Sequence, residues 1–412
     1  MKRTFKYRVY PTRAQERWLY AELKHQKKLY NYMLQMRSQM WTYGGISVSC
    51  YDQINHLKNL RENNTHYSDH SQDMQVSTIK RLDGAYDHFF RRCQDPKEKK
   101  NGHPRFKRSV RSVTWCLRKH KLKTGERVRQ NPVRETGRRH NMLKVPKLGE
   151  VKIRTHRLFI GDPKEVTLKK TARGWYAFIV CEVAETLKCV PKSAVGVDVG
   201  TKTFVVTSDG EKIGNRRFYK RGHPRLAELQ QDLSRKQKGS KRYWKARTAL
   251  AKQHDKIACQ RLDFIAKTVY KLFHHKGYDA VVVEDLHIKG MIKGAAKDQS
   301  KKGLSKSISD TAWGMFFDWL QWVAKRDGKH FHAVDPAHTS KTCSNCCQRV
   351  KEKLSLSVRT FECKHCGFTI DRDHNAAINI LNRAACALRG VEVWDTILYE
   401  TRNQLLQLAC WN

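Results

Sequence analysis

The sequence is poor in acidic residues. It has 39 Asp and Glu against 82 Lys and Arg, which gives a formal net charge of +43 over 412 residues. Self-repulsion of this size disfavours a self-contained globule, so we expect a polyanionic partner. A generally basic soluble protein is the alternative, but such proteins rarely reach this excess. The charge balance is the electrostatic footprint of a nucleic-acid-binding protein.

Long apolar stretches are also missing. No run of about eighteen apolar residues occurs, so we expect no membrane span. The first residues, Met1–Lys6, lack the apolar stretch of a signal peptide. Thirteen cysteines are present, and four of them stand in two Cys-x-x-Cys pairs, which fits metal binding in a reducing compartment rather than disulfides. We therefore expect a cytoplasmic protein whose other nine cysteines are core or surface residues.

The first half of the chain alternates between β and helical patterns. Residues 1–11 alternate apolar and polar side chains and end in a proline, which predicts a short strand. Thr12 and Gln15 have the spacing of a capping box that opens a helix. A solvated helical bundle is the alternative to a lobe that grips a nucleic-acid backbone. We assign a helical lobe to residues 12–103, and a β-rich module to residues 1–11 and 104–190.

Strands alternate with long helices in the second half. Val195–Val199 and Ala280–Val283 are apolar runs typical of buried strands, and His330–Val334 is a further strand. This alternation indicates an α/β sheet with a parallel component. We assign residues 191–335 and 371–390 to the α/β domain, residues 336–370 to a metal-binding insertion, and residues 391–412 to a C-terminal tail.

Three acids stand where a metal-dependent nuclease site would need them. Asp198 lies within one predicted buried strand, Glu284 ends another, and Asp373 precedes an alanine-rich helix. Mg²⁺ prefers oxygen ligands and is usually held by a few carboxylates plus phosphate. Two such ions can clamp the attacking and leaving oxygens of a phosphodiester displacement. Each acid alone has a structural explanation, such as a turn or a helix N-cap, but together they favour a nuclease.

The four paired cysteines predict a structural zinc ribbon. Cys343, Cys346, Cys363 and Cys366 form two Cys-x-x-Cys pairs separated by sixteen residues. Four thiolates close the coordination sphere of zinc, so the ion would be structural rather than catalytic. Cys347 leaves a spare thiol beside the site, but the spacing favours Cys346 as the ligand. Such a ribbon also suits ribosomal proteins or transcription factors, so it does not decide the function.

The chain resembles the TnpB family, the transposon-encoded RNA-guided nucleases related to type V CRISPR effectors. The similarity spans residues 1–385. The segments that carry it are Gly102–Lys107, Gly196–Gly200, Glu284–Leu286, Leu304–Gly314, the four cysteines and Asp371–Ile380.

The resemblance implies a multidomain α/β architecture. It comprises a RuvC-like nuclease domain of the RNase H fold with an inserted zinc ribbon, an N-terminal helical recognition lobe and a β-barrel-like wedge module. Two Mg²⁺ ions would be held by catalytic residues Asp198, Glu284 and Asp373, and a metal-activated water would attack. Asp373 is chosen over its neighbour Asp371 because it lies two residues before Asn375. Ser305–Gly314 matches the family's lid, although a simple helix start is the alternative.

The resemblance also implies a guide RNA made from the transposon end and a double-stranded DNA target in the prokaryotic nucleoid. The protein would read a short flanking motif, while base pairing reads the target. No protein partner and no membrane are expected. Gln75 and Lys80 are candidates for motif reading, since Gln can contact adenine, although a polar helix face is the alternative. Candidate phosphate contacts are Arg105 and Lys107 within Lys97–Arg108, and the stretches Arg134–Arg139 and Arg235–Lys245.

We therefore expect an RNA-guided, Mg²⁺-dependent DNA endonuclease that leaves 3′-hydroxyl and 5′-phosphate ends. One alternative is a nuclease-dead, RNA-guided DNA-binding repressor, against which the presence of all three acids argues. A second is a DNA-strand transferase acting directly at transposon ends, which would share the acids and the fold. A third is a non-enzymatic zinc-ribbon protein that binds RNA.

Overall fold

The structure is a computed structural model, and it describes residues 1–94, 102–121, 127–137, 140–297, 302–350 and 358–387. Contacts divide the chain into two compact units, Met1–Ala184 and a second unit that begins at Glu185. Among the described residues, none of the helices is both long and apolar enough to cross a membrane.

The first unit is built on an antiparallel sheet. Its strands are β1 (Lys2–Tyr10), β2 (Ser112–Cys116), β3 (Lys119–Lys121), β4 (Arg127–Arg129), β5 (Val133–Arg134), β6 (Asn141–Val145), β7 (Gly149–Arg154), β8 (Asp162–Thr171) and β9 (Gly174–Glu182). Seven of them form one sheet in the order β2-β8-β9-β1-β7-β6-β5, and β3 pairs separately with β4.

Strand β1 lies at the centre of this sheet because both of its edges are paired. It pairs with β9 along residues 2–9 and with β7 at its C-terminal end. Alternation buries Phe5, Tyr7 and Val9 almost completely on one face. The expectation that the N-terminal strand pairs with the β-rich module is confirmed.

Four helices complete the described part of the first unit, namely α1 (Arg13–Gly44), α2 (Cys50–Asn63), α3 (Thr65–Ser68) and α4 (Gln72–Gln94). The predicted capping box opens α1. The backbone N–H of Thr12 donates to Oε1 of Gln15 at 3.0 Å, and the backbone N–H of Gln15 donates to Oγ1 of Thr12 at 3.3 Å. The helices share a core that includes Leu29, Leu57 and Leu82.

The second unit contains a mixed α/β sheet and a small ribbon. Its strands are β10 (Ala194–Val199), β11 (Thr203–Thr207), β12 (Lys212–Gly214), β13 (Ala280–Glu284), β14 (His330–Val334), β15 (Thr360–Glu362) and β16 (Thr369–Asp371). Its helices are α5 (Phe218–Ser234), α6 (Lys241–Tyr270), α7 (Ile288–Lys297), α8 (Lys302–Thr311), α9 (Trp313–Asp327) and α10 (Arg372–Ala387), and a π-helical turn, Lys271–His275, follows α6.

Five strands of the second unit form a sheet in the order β12-β11-β10-β13-β14. Strand β11 is antiparallel to both β12 and β10, whereas β10, β13 and β14 run parallel to one another. Residues 280–283 of β13 are buried throughout, as expected for a central strand covered on both faces. The α/β sheet with a parallel component is therefore confirmed.

Different helices cover the two faces of this sheet. Valines of β10 and β13 pack against α6 and α9 on one face. On the other face, Ala194 of β10 and Val282 of β13 pack with Leu381 of α10. Because successive side chains of a strand alternate between the faces, Asp198 and Glu284 lie on the α10 face.

Gly196 allows α10 to approach β10 closely. A Cβ atom built on Gly196 would lie 2.1 Å from the carbonyl oxygen of Ala377 in α10, far inside van der Waals contact. The backbone of α10 therefore rests directly on the strand that carries Asp198.

Replacing this glycine should loosen the packing of α10. We expect Gly196→Ala to lower the free energy of local unfolding of β10 and α10 by about 1–3 kcal/mol, because the added methyl group overpacks the contact. Hydrogen exchange of peptides from these two elements measures the change. Gly214→Ala is the control, since a Cβ there meets nothing within 4 Å. Equal exchange in both variants would contradict this account of the packing.

Candidate metal centres

The three predicted acids come together at one end of the second sheet. Asp198 and Glu284 lie near the C-terminal ends of the neighbouring parallel strands β10 and β13, and Asp373 lies in the first turn of α10. Burial, and then the nearby carboxylates of Glu284 and Asp373, raise the pKa of Asp198 to about 8. Repulsion from these carboxylates favours protonation of Asp198 or a bound cation. Their ligand atoms are all oxygens, which fits Mg²⁺.

Two of these acids have identifiable partners. The hydroxyl of Thr339 donates to Oε1 of Glu284 at 2.5 Å. Burial raises the pKa of Glu284, while the Thr339 hydroxyl and Arg383 oppose the rise. Nη1 of Arg359 donates to Oδ2 of Asp373 at 3.3 Å. The Thr339 hydroxyl thus orients one carboxylate, and the Arg359 guanidinium places a positive charge beside another.

Asp371 has a different environment from Asp373. Its Oδ1 accepts hydrogen bonds from the backbone N–H groups of Asp373 and His374 at 3.0 and 3.1 Å, so it caps α10. Its Oδ2 accepts from the ammonium group of Lys212 at 2.6 Å. The helix-cap explanation considered for this segment therefore applies to Asp371, whereas the side chain of Asp373 pairs with Arg359 and acts electrostatically on Asp198.

The four predicted cysteines also come together. All four sulfurs lie within 4.8 Å of one another. The Sγ atoms of Cys343 and Cys366 are 3.7 Å apart, and those of Cys346 and Cys363 are 3.6 Å apart. A tetrahedral zinc ion with Zn–S bonds of about 2.3 Å requires sulfurs about 3.8 Å apart. The four residues therefore fit a structural zinc ion.

Backbone groups favour the thiolate form of Cys363, whereas burial raises the pKa of Cys343. The backbone N–H of Cys366, and to a lesser degree that of His365, lower the pKa of Cys363 to about 6 against the opposing effect of burial. A thiolate is the form of cysteine that binds zinc. Zinc would bind Cys363 as a thiolate and would displace a proton from Cys343.

Cys347 occupies a turn position rather than a ligand position. Its backbone N–H donates to the carbonyl of Cys343 at 2.9 Å, and in the second knuckle Gly367 donates in the same way to Cys363 at 2.8 Å. Both turn residues are left-handed, with φ of 61° at Cys347 and 70° at Gly367. Cys347 is exposed and lies outside the sulfur cluster, whereas Cys346 lies within it.

Two asparagines of α10 attach the ribbon to the acid cluster. The side-chain amide of Asn375, which is fully buried, donates to the carbonyl of residue 342 at 2.8 Å and accepts from the N–H of residue 344 at 2.9 Å. Asn379 donates to the carbonyl of Thr339 at 2.8 Å. The segment entering the first knuckle therefore carries the hydroxyl that orients Glu284. Sequence reasoning missed Thr339. Asn375 and Asn379 both lie within the Asp371–Ile380 segment that resembles the family, but sequence reasoning gave Asn379 no role.

The candidate nucleic-acid contacts differ in accessibility. Gln75 is completely buried, and its amide accepts from Arg61 and donates to the carbonyl of Tyr67 while contacting Nε2 of His25 at 2.9 Å. In this conformation the Gln75 amide is hydrogen-bonded to other residues of the helical lobe. Lys80, in contrast, is exposed.

The basic loop of the first unit is described from residue 102 onward. Arg105 and Lys107 are both exposed. The side chain of Asn31 in α1 pairs with both backbone groups of Lys107 at 2.8 and 3.1 Å, which holds the loop against the helix. Arg134 forms an ion pair with Glu150. Residues 97–101 and 138–139 of the predicted basic stretches, and the predicted tail at 391–412, lie outside the described residues.

Three histidines of the first unit also lie close together, but their geometry does not suit an ion. Ring nitrogens of His25, His66 and His70 lie within 4.8 Å of one another. The rings of His25 and His70 are stacked, with centroids 3.7 Å and planes 15° apart. Ring nitrogens bind through lone pairs in the ring plane, so stacked rings cannot point at one ion. Nδ1 of His70 contacts the buried Glu22 at 2.6 Å, and Nε2 of His25 contacts Gln75 at 2.9 Å, so these two rings belong to a hydrogen-bonded network.

Family models match three segments of the chain. Residues 1–45 match the helix-turn-helix domain of the OrfB_IS605 family, and residues 178–295 match the OrfB_IS605 model described as "Probable transposase". Residues 313–380, which include the ribbon, match the "Cas12f1-like, TNB domain" model. These matches define the class of the protein as transposon-associated.

Curated relatives cover most of the chain. A Streptomyces pristinaespiralis protein named "Putative RNA-guided DNA endonuclease" is 31% identical over 389 residues, covering 92% of this chain and 89% of the relative. "Putative RNA-guided DNA endonuclease InsQ" of Escherichia coli K12 is 31% identical over 320 residues, covering 76% of this chain and 74% of that relative. Shorter matches at 30% identity include the mimivirus "TnpB-like protein L79", covering 34% of this chain and 26% of that protein. The chain belongs to the TnpB family, as its sequence motifs indicated.

Solved structures agree on the fold. The Cas12f1 chain in a complex with sgRNA and target DNA has a TM-score of 0.54 at 14% identity, covering 92% of this chain and 98% of that one. The mini-RNA-guided endonuclease Cas_phi3 has a TM-score of 0.52 at 11% identity, covering 93% of this chain and 92% of that one. At these identities the likeness shows a shared fold alone.

Single substitutions of Cys346 and Cys347 should show which of the two is a zinc ligand and which is a turn residue. We expect Cys346→Ser to lose zinc, because it removes one of four clustered sulfurs. Cys347→Gly should keep zinc and hold it more firmly against a chelator, since glycine relieves left-handed strain of roughly 1–2 kcal/mol. Metal analysis of the purified variants measures both. Loss of zinc from Cys347→Gly would show that the sulfur of Cys347 is a ligand.

Proposed function

We propose that this protein is an RNA-guided, Mg²⁺-dependent DNA endonuclease with a RuvC-like nuclease domain of the RNase H fold. The observation that carries the proposal is the convergence of Asp198, Glu284 and Asp373 on one face of the second sheet. The strand order of the sheet also supports the proposal. Three antiparallel strands are followed by two parallel ones, and two of the acids lie on adjacent central strands.

The proposed partners are a guide RNA, made from the transposon end, and double-stranded DNA. Two curated relatives carry names that state RNA-guided DNA endonuclease activity, and the Cas12f1 structure contains both sgRNA and target DNA. A net charge of +43 supplies the attraction for both polyanions. In this proposal the first unit contributes the recognition lobe and wedge module, with exposed phosphate contacts at Lys80, Arg105 and Lys107.

The described residues have different roles in the proposed site. Asp198, Glu284 and Asp373 would hold Mg²⁺, which when bound supplies Lewis-acid stabilisation of the phosphate and a water of lowered pKa. Thr339 fixes the orientation of the Glu284 carboxylate through its hydroxyl hydrogen bond. Asp371 fixes the backbone of Asp373 by capping α10. Arg359 holds the carboxylate of Asp373 from the ribbon side.

Replacing one of the three acids should abolish cleavage, while the protein still binds its RNA. We expect Asp198→Asn to lower the rate of plasmid cleavage by more than the roughly 10–100-fold typical of changes around a metal ligand. The measurement uses the chain purified with its RNA and a plasmid library that carries matching targets. Asp371→Asn is the matched control, because asparagine removes the same charge yet still caps a helix.

The same assay separates the alternatives. RNase treatment should stop cleavage, because the target is chosen by base pairing. The description "Probable transposase" of one matching family model keeps a strand transferase as the second candidate. That candidate predicts joined DNA strands that form without RNA, and unchanged cleavage by Asp198→Asn would overturn the assignment of the acids.

The Thr339 hydroxyl should tune the affinity for Mg²⁺. Thr339→Val removes the hydrogen bond that lowers the pKa of Glu284, so this pKa should rise further and the carboxylate should be less firmly oriented. We expect the Mg²⁺ concentration for half-maximal cleavage to rise about 10–100-fold, and Thr339→Ser to restore it. Thr342→Val is the control, since its hydroxyl donates to the carbonyl of His338. The same shift in both variants would indicate a general disturbance of the ribbon.

A further inference from the structure

The turn that joins β11 to β12 contacts the first turn of α10. Nε2 of the half-buried His374 lies 3.0 Å from the carbonyl oxygen of Ser208. Because a carbonyl oxygen can only accept, Nε2 is the donor of this hydrogen bond. Gly210 of the same turn lies against the ring, since a Cβ atom built on it would be 3.2 Å from Cε1 of His374. His374 directly follows Asp373, so the turn contacts the neighbour of one acid of the cluster.

Ser208 also contacts the strand that carries Asp198. Ser208 is only 2% exposed. Its backbone N–H donates to the carbonyl of Gly196 at 2.8 Å, and its hydroxyl accepts from the N–H of Gly196 at 3.1 Å. Gly196 precedes Asp198 by two residues on β10. Ser208 therefore binds β10 through its N–H and hydroxyl, and α10 through its carbonyl, so it links the elements that carry two of the acids.

Further hydrogen bonds hold this turn in place. The N–H of Gly210 donates to the carbonyl of Thr207 at 3.0 Å, and the N–H of Glu211 donates to the hydroxyl of Thr207 at 3.1 Å. The hydroxyl of Tyr278, which precedes β13, donates to the carboxylate of Asp209. These bonds fix the turn within the second unit, so the carbonyl of Ser208 has a defined position.

The contact of His374 differs from the other contacts that hold α10. Asp371 caps the helix, and Asn375 and Asn379 bind the segment that enters the ribbon. His374 instead binds the sheet side. Consecutive residues of an α-helix point in directions about 100° apart around its axis. A hydrogen bond from His374 to a fixed carbonyl therefore limits rotation of the first turn and sets the direction in which Asp373 extends.

We propose that His374 is a positioning residue of the acid cluster, and that its hydrogen bond to the carbonyl of Ser208 sets the orientation of Asp373 relative to Asp198. The inference rests on the proposed function, because it gives His374 a role in Mg²⁺ binding by the three acids. Mg²⁺ demands near-ideal octahedral geometry, so its affinity depends on how accurately the carboxylates are placed. In this role His374 contacts neither the metal nor the DNA.

Metal affinity tests this role without cleavage. The full chain with its copurified RNA is titrated with Mn²⁺, which can replace Mg²⁺ at oxygen sites, and bound Mn²⁺ is counted by electron paramagnetic resonance. We expect His374→Leu, which removes the donor, to raise the Kd for Mn²⁺ about 10–100-fold, as for other residues that orient metal ligands. His374→Gln should restore most of the affinity, because its side-chain amide keeps an N–H donor.

A second histidine provides the matched control. Nε2 of His330 also bonds to a backbone carbonyl, that of Cys189 at 2.8 Å. His330 begins β14, whereas Glu284 pairs with Val334 at the other end of that strand. His330→Leu should therefore leave the Kd for Mn²⁺ unchanged. An unchanged Kd in His374→Leu, no restoration by His374→Gln, or an equal rise in His330→Leu would each overturn the proposal.

A double-mutant cycle tests whether His374 acts through Ser208. Ser208→Ala removes the hydroxyl that accepts from Gly196, so it should raise the Kd for Mn²⁺ several-fold. The effects of independent changes multiply as fold-changes, whereas those of residues in one hydrogen-bonded network do not. We expect the double variant to bind Mn²⁺ no more weakly than His374→Leu alone. A multiplied loss would overturn the link between the two residues.

Cleavage kinetics distinguish positioning from DNA binding. His374→Leu should lower kcat and leave the KM for target DNA unchanged, and a raised KM with an unchanged kcat would overturn the proposal. The Asp198→Asn variant separates this inference from the proposed function. Mn²⁺ that stays bound in Asp198→Asn would overturn both, because the acids would then not form the site. Loss of Mn²⁺ in Asp198→Asn with unchanged binding in His374→Leu would overturn the role of His374 alone.

Discussion

The close packing of α10 on β10 is the constraint on which the candidate site depends. At Gly196 the carbonyl oxygen of Ala377 lies only 2.1 Å from the place where any other residue would have its Cβ atom. This contact brings the first turn of α10, with Asp373, over the sheet face that carries Asp198 and Glu284. An acid distant in sequence thus joins two acids of adjacent strands without any loop having to move.

Bringing these acids together has an electrostatic cost in the free chain. Burial and repulsion raise the pKa of Asp198 to about 8, and a divalent cation would offset both effects. The surrounding residues hold the carboxylates despite this cost. Asp371 caps α10, the Thr339 hydroxyl orients Glu284, and the asparagines of α10 bind the segment that enters the zinc ribbon. The ribbon therefore stabilises the positions of two acids rather than one.

Much of this arrangement could be predicted from the sequence, because its signals are local. Apolar runs indicated β10 and β13, the cysteine spacing indicated the ribbon, and the capping box indicated the start of α1. The role of Thr339 could not be predicted, since a single threonine has no spacing signal and its partner is 55 residues away. The burial of Gln75 could not be predicted either, because helical periodicity does not show that Arg61 and His25 contact its side-chain amide.

The most direct test of the account is metal binding at the acid cluster, measured apart from cleavage. Mn²⁺ can replace Mg²⁺ at oxygen sites and is counted by electron paramagnetic resonance during titration of the chain. The account predicts that Asp198→Asn, Glu284→Gln and Asp373→Asn each remove the same tightly bound Mn²⁺, while Asp371→Asn retains it. Mn²⁺ binding that is unchanged in the three single variants would contradict the claim that these acids form one metal site.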